Sequence, residues 1–129
     1  MAVVALLISC SGVKSDDKAA TYSNPVIDNN APDPTVIRAK DGMFYAYSTM
    51  RQGNVPVYKS ADMVNWEYLG GAFRRNEVPK FVPRAAIWAP DINYIDGKYV
   101  LYFSMSTWGG EWEAGIGRAV ADTPEGPFT

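Results

Sequence analysis

The chain has 129 residues, of which 47% are hydrophobic and 20% charged, and its formal net charge is −2. This composition is typical of one globular unit, and the balance of 12 basic against 14 acidic side chains offers no basic surface for nucleic acid. Histidine is absent, which excludes a Ser-His-Asp or Cys-His mechanism and a His-ligated metal within the chain. Acid–base chemistry must therefore come from carboxylates, Lys or Tyr.

The first residues are similar to a bacterial lipoprotein signal. An apolar run from Val3 to Ile8 is too short to span a bilayer and ends in the lipobox-like sequence Leu-Ile-Ser-Cys at Cys10, although no Lys or Arg precedes it. We predict a lipoprotein-type signal segment over residues 1–10 with lipidation at Cys10, followed by a flexible tether over 11–23. The protein would then be exported or lipid-anchored at the bacterial cell envelope. The alternative is a buried strand with a free cysteine.

From Asn24 onward the sequence predicts β-strands. Asp41-Gly42 is a strong hairpin signal between two apolar runs, and no segment shows a helical period over ten residues. The chain is therefore predicted to be all-β. The strands predicted for the first unit cover residues 35–38, 43–49, 56–60 and 66–73.

The strand pattern then repeats. Asp33 and Asp91 each end an Ala-Pro-Asp sequence that precedes a short strand, an Asp-Gly pair and an aromatic-rich strand ending in Ser. A spacing of about 58 residues with four short strands per unit is typical of propeller blades, whereas a β-sandwich gives no reason for self-similarity. Because propellers close with about four to eight blades, we expect this chain to be the front part of a longer protein. Blade 1 would cover about residues 31–73 and a partial blade 2 about residues 86–129.

Asp33 is the most constrained acidic residue of the sequence, because it stands between Pro32 and Pro34. A proline disfavours the helical region for the residue before it, so we predict an extended backbone at Asp33. Taken alone, the pattern is also that of an ordinary turn that starts a strand.

Four fragments together carry a family resemblance. They are NPVIDNNAPDPTVIRAKDGMFYAYST, KSADMVNWEYLGGAF, IWAPDINYIDGKYVLYFS and GIGRAVADTPEGPFT. In this order and spacing they resemble the N-terminal part of glycoside hydrolase family 43, whose members are five-bladed β-propellers. The resemblance implies that residues 24–129 form about the first two blades. It also implies a glycosidase that acts, with inversion, on arabinose- or xylose-containing plant polysaccharides or oligosaccharides.

The same resemblance implies roles for single residues. Asp33 matches the family's general base, while the second aspartate and the glutamate acid belong to motifs that we do not find among these residues, so we expect residues 1–129 alone to be inactive. Trp88 is predicted to stack on a sugar and Asp91 to contact substrate, with core packing and strand anchoring as their structural alternatives. Glu111 and Glu113 are predicted to be solvent-exposed loop charges.

No cofactor is predicted to be required, and no metal-ligating residue is predicted. Members of the family often carry a calcium ion in the central channel, so the resemblance implies a possible structural calcium in the full-length protein, although no calcium loop is recognisable here. The predicted partner is a carbohydrate substrate, with no nucleic acid and with a membrane reached only through a lipid on Cys10. Two alternatives stay open: a non-catalytic glycan-binding propeller lipoprotein, and another five-bladed propeller glycosidase.

Overall fold

The computed structural model of the chain describes residues 21–110 and 113–129. This part of the chain contains β-strands and no helix, which confirms the all-β prediction. The strands are β1 (Thr35–Arg38), β2 (Phe44–Tyr47), β3 (Pro56–Ser60), β4 (Glu67–Gly71), β5 (Ala86–Ile95), β6 (Lys98–Ser106) and β7 (Ala114–Ala121).

Strands β1 to β4 form one antiparallel sheet in the order β1-β2-β3-β4. Each strand pairs with its neighbour in sequence, which is the arrangement that short hairpin connections allow. The four strands predicted for this unit are confirmed, with the ends of two of them shorter by one or two residues. Gly42 has a φ of 82° in the first turn, in the left-handed region that favours glycine.

Strands β5 to β7 form a second antiparallel sheet in the order β5-β6-β7. A two-residue turn joins β5 to β6, with φ of 49° at Asp96 and 84° at Gly97, so the second predicted Asp-Gly hairpin is confirmed as well. The two units differ at their Ala-Pro-Asp sequences. In the first unit the sequence precedes β1, whereas β5 begins at Ala86 and runs through it with a register shift between Trp88 and Asp91. Such a β-bulge lets a strand continue past a residue that cannot join the ladder.

The core lies between the two sheets and is rich in aromatic rings. Phe73, after β4, packs edge-on against Phe103 of β6 with ring centroids 5.9 Å apart. Phe128 packs edge-on against Tyr47 of β2 at 6.0 Å, and all four rings are buried. Burying such a side chain contributes about 1.5–3 kcal/mol. The two sheets are therefore joined by an apolar contact as well as by the chain.

Several predictions for the N-terminus fall on residues that the structure leaves undescribed. The predicted signal segment 1–10, its Cys10 and residues 11–20 of the predicted tether lie outside the described ranges. Within residues 21–110 and 113–129, no helix of sufficient length and apolarity to cross a membrane is found. The lipoprotein assignment and the envelope location therefore stay predictions.

A charged cluster ties the first hairpin to the segment after β7. The Tyr45 hydroxyl lies 2.8 Å from both Asp41 Oδ2 and Glu125 Oε1, and Lys59 Nζ lies 3.7 Å and 3.8 Å from the same two oxygens. Burial, together with the two carboxylates, raises the pKa of Tyr45 far above its ordinary value. Burial alone would raise the pKa of Asp41, but the Met43 N–H, the Tyr45 hydroxyl and the Lys59 charge together lower it.

The turn between β3 and β4 is organised by one carboxylate. Asp62 Oδ1 accepts hydrogen bonds from the Val64 N–H at 2.9 Å, the Asn65 N–H at 2.8 Å and the Ser60 hydroxyl at 3.0 Å. Its Oδ2 accepts one from the Asn65 side-chain amide at 2.8 Å. These bonds favour the charged form, so the pKa of Asp62 falls well below its ordinary value, with the backbone N–H of Asn65 as the largest cause. Asp62 is therefore a turn residue.

Replacing Asp62 by Ala is expected to lower the melting temperature at pH 7 by a few degrees, because the two N–H groups lose their acceptor. Folding lowers the pKa of this carboxyl, so its stabilisation is fully present above the ordinary value of 3.8 and is lost as the pH falls below that value. The difference in melting temperature between wild type and Asp62→Ala should therefore shrink from pH 5 to about pH 2.

Thermal unfolding followed by circular dichroism across that pH range measures the difference directly. The matched control is Asp62→Asn, which keeps an acceptor oxygen without a titrating group. Its melting temperature should fall less than that of Asp62→Ala at pH 7. A gap between wild type and Asp62→Ala that stays constant with pH would contradict the role of the ionised carboxylate.

Candidate active site

Asp33 lies just before β1 with its side chain exposed. Its φ is 51°, in the left-handed region, so the predicted extended backbone is wrong. Aspartate is one of the few residues other than glycine that tolerate this region, and such conformations persist where surrounding contacts hold them. The ring of Pro34 fixes its own φ, so the backbone that follows Asp33 has little freedom.

The contact that holds Asp33 comes from Thr49, which follows β2. The Thr49 hydroxyl donates a hydrogen bond of 2.8 Å to Asp33 Oδ2, and the Thr49 N–H donates one of 3.0 Å to the carbonyl of Pro32. Both the side chain and the backbone of Thr49 therefore bind the Pro-Asp-Pro segment. A hydroxyl donating to a carboxylate oxygen fixes the direction of that carboxylate while its other oxygen stays available.

Thr49 also joins this segment to the second sheet. Its hydroxyl oxygen accepts a hydrogen bond of 2.9 Å from the N–H of Ala89, and the next residue, Met50, donates its N–H to the carbonyl of Ile87 at 2.8 Å. Ala89 lies in the β5 bulge and has a φ of 44°. The bulge turns this N–H away from the ladder and towards Thr49. Asp33, Thr49 and Ala89 thus form a continuous hydrogen-bonded connection between the two sheets.

Trp88 precedes Ala89 in the same bulge and is half-buried. Its carbonyl accepts a hydrogen bond of 3.1 Å from the Ser104 hydroxyl, and its ring packs against Trp108 with centroids 6.0 Å apart at an interplanar angle of 63°. The two rings border an open groove of about 420 Å³ whose other lining residues are Ser106, Thr107, Gly109 and Gly110. Trp88 is therefore placed beside a groove and is not enclosed in the core, and its role as a sugar contact stays a prediction.

Asp91 follows the bulge and is exposed. The hydrogen bond described for its carboxylate comes from the Asn93 side-chain amide to Oδ2 at 2.9 Å, two residues along the same strand. Asp91 and Ala89 therefore lie on the same strand. The hydrogen bonds that connect Asp33 to Ala89 pass through Thr49 and do not include Asp91. The predicted contact between Asp91 and substrate stays a prediction.

Two residues near this site were not singled out by sequence reasoning. Thr49 follows the Ser at which the repeated aromatic strand ends, but its partners are 16 and 40 residues away, and no local pattern reports such contacts. Trp108 is 91% exposed, in a segment rich in glycine. A large aromatic ring in a glycine-rich turn is the signal that could have identified it.

Two glutamates, Glu111 and Glu113, were predicted to be solvent-exposed loop charges. Glu113 is exposed in the structure, and Glu111 lies outside the described ranges. Within residues 21–110 and 113–129, no group of three or more Cys, Asp and Glu side chains is arranged to hold a metal ion. The calcium ion that the family resemblance implies for the full-length protein stays a prediction, and no step below uses one.

The fold and the site together define a class. Two successive antiparallel sheets of short strands hold an exposed aspartate where hydrogen bonds join them, and Trp88, the neighbour of Ala89, borders an aromatic groove. Successive antiparallel sheets of this kind are the units of a β-propeller. The sequence model of glycosyl hydrolases family 43 matches residues 22–129. The chain belongs to this family.

Individual relatives agree with the family. A non-reducing end alpha-L-arabinofuranosidase of Bacteroides ovatus is 32% identical over 114 residues, covering 84% of this chain and 21% of the relative. A xylan 1,3-beta-xylosidase of a Vibrio species is 32% identical over 116 residues, covering 84% of this chain and 22% of the relative. The structure of an endo-arabinase from Bacteroides thetaiotaomicron superposes with a TM-score of 0.66 at 30% identity, covering 85% of this chain and 37% of that one. The chain thus spans about a fifth of these two curated relatives.

Proposed function

We propose that the protein containing this chain is a glycosidase that hydrolyses arabinose- or xylose-containing polysaccharides or oligosaccharides, with Asp33 as the general base. The observation that carries the proposal is the exposed Asp33 carboxylate, which the Thr49 hydroxyl fixes with a hydrogen bond of 2.8 Å and connects to Ala89, the residue that follows Trp88 of the aromatic groove. Its substrate class is supported by the relatives, which are an arabinofuranosidase, a xylosidase and an endo-arabinase.

The proposed reaction inverts the anomeric carbon. Asp33 takes a proton from a water molecule, whose oxygen bonds to the anomeric carbon as the glycosidic C–O bond breaks and a general acid protonates the leaving oxygen. A base in this mechanism must hold its water on the far side of the sugar, with the acid and base carboxyl groups about 6.5–9.5 Å apart. The Thr49 hydroxyl suits Asp33 to this work because it occupies one lone pair of Oδ2 and fixes the direction of the carboxylate.

The general acid is not assigned to any residue of this chain. The family resemblance implies a glutamate, and we find the corresponding motif at none of the glutamates of residues 1–129. Because general acid assistance contributes about 10²–10⁴-fold, residues 1–129 by themselves are expected to show no useful hydrolysis. Activity is therefore a property proposed for the protein encoded by the whole reading frame that contains these residues.

The test is to express that whole reading frame and to assay the protein on nitrophenyl α-L-arabinofuranoside, nitrophenyl β-xyloside and debranched arabinan. Hydrolysis of one of them is expected, and the preferred substrate names the activity. Proton NMR of the first product formed should show the anomer opposite to that of the substrate. A product of retained configuration would overturn the inverting mechanism. Glycan binding without hydrolysis would overturn the enzyme and favour the non-catalytic binding protein.

A further inference from the structure

A second groove lies at the same end of the first sheet as Asp33 but on a different part of it. It has a volume of about 120 Å³ and is lined by Asn29, Arg51, Gln52, Pro56, Tyr58 and Tyr68. Arg51 comes two residues after Thr49, and Pro56 starts β3 at the end where β2 finishes. The groove and the Asp33 site therefore share one connecting segment, the one between β2 and β3.

The wall of this groove is made by two tyrosines that are cross-strand neighbours. Tyr58 of β3 pairs with Tyr68 of β4, and their rings lie 5.4 Å apart at an interplanar angle of 52°. Tyr58 is buried, whereas Tyr68 is 61% exposed. The buried ring of Tyr58 packs against the exposed ring of Tyr68. The Tyr68 side chain is therefore already ordered, and it loses little conformational entropy when a ligand binds. Such rings carry an apolar face and a polar hydroxyl, which is the combination that sugar rings offer in return.

The charged side chain that lines the groove is a cation, Arg51. Arg51 donates to the side-chain oxygen of Asn29 and, within the described ranges, lies in no ion pair. Arg51 and Tyr58 line the same groove, and burial raises the pKa of Tyr58 while the Arg51 charge opposes that rise. The lining contains no carboxylate, and the other polar side chains are the neutral amides of Asn29 and Gln52. An anionic group is therefore the charge that this groove accepts.

We propose that this groove is a second glycan-binding site, separate from the Asp33 site, which takes one sugar unit bearing a carboxylate. The ring of the uronate stacks on Tyr68 and its carboxylate accepts hydrogen bonds from Arg51. The volume suits one sugar unit and not a longer segment. The inference rests on the proposed function only for the class of ligand, which is a glycan.

The experiment is native gel electrophoresis of the whole protein, at 4 °C, through gels containing glucuronoxylan or the same glucuronoxylan after reduction of its carboxyl groups. Retardation by glucuronoxylan should exceed retardation by the reduced polymer. Tyr68→Ala is expected to weaken binding about three- to tenfold on both polymers. Arg51→Gln is expected to remove the difference between them, a change of about tenfold for the acidic polymer. The controls Tyr22→Ala and Arg75→Gln change exposed residues outside the groove and should bind like wild type.

Each outcome bears on the proposal. Loss of retardation in Tyr68→Ala together with loss of discrimination in Arg51→Gln supports it. Unchanged binding in both variants, or equal retardation of the wild type by the two polymers, overturns it. Hydrolysis is scored separately on the substrates named above, so a protein that binds glucuronoxylan through Tyr68 but hydrolyses none of them would overturn the proposed function and leave the groove assignment standing.

Discussion

The Asp33→Asn variant is expected to lose about 10²–10⁴-fold in kcat, because an amide of the same shape can still accept the Thr49 hydrogen bond but cannot take a proton from water. The effect should fall on kcat with little change in KM, since the side chain's volume and its contact with Thr49 are kept. Initial rates on the preferred substrate, measured with the protein from the whole reading frame, give both constants.

Two further variants separate the base from its surroundings. Thr49→Val removes the hydroxyl that orients Asp33 and connects it to the Ala89 N–H, so a smaller loss of about tenfold to 10²-fold in kcat is expected. Asp91→Asn tests the exposed carboxylate of β5, whose described hydrogen bond stays within its own strand, and should lose less than Asp33→Asn. An Asp33→Asn protein with a wild-type rate would refute Asp33 as the base.

The second large effect concerns folding. Phe73→Ala is expected to lower the free energy of unfolding by about 3–5 kcal/mol, because it opens a cavity where the ring contacts Phe103 and Phe128. Phe73 is 4% exposed and lies between the two sheets, so neighbouring side chains have little room to fill the space. Urea unfolding followed by tryptophan fluorescence measures the loss.

Phe81 supplies the matched control, because it also packs on Phe103, with ring centroids 6.3 Å apart, but is 53% exposed. Phe81→Ala should therefore cost well under half of what Phe73→Ala costs, since most of its ring already contacts solvent. Equal losses from the two variants would contradict the larger contribution that burial between the sheets assigns to Phe73.

The features that local sequence determines were predictable. Asp96-Gly97 specifies a tight turn because both residues tolerate positive φ, and the strands on either side follow from short apolar and aromatic runs. The same is true of the Asp62 turn, whose hydrogen bonds connect residues at most three positions apart. The family resemblance likewise depended on fragments that are each continuous in sequence.

The arrangement of the site was predicted less well because it depends on distant contacts. The proline neighbours of Asp33 favour an extended backbone, but the structure holds its φ at 51°, with its carboxylate bound to a hydroxyl 16 residues away. That hydroxyl is in turn positioned by a bulge 40 residues further along. Periodicity and turn chemistry describe neighbours in the chain and carry no information on either contact.

The Ala89 N–H donates to the Thr49 hydroxyl, which donates to Asp33, so the direction of the Asp33 carboxylate depends on the positions of both sheets. A small slide of one sheet against the other moves Thr49, and a misplacement of about 1 Å is enough to cost on the order of 10²-fold in rate. Substitutions of the buried aromatic residues between the sheets are therefore expected to lower the rate, although these residues do not contact the substrate. Under the proposed function, selection for a fast reaction and selection for tight packing act on the same contact between the two sheets.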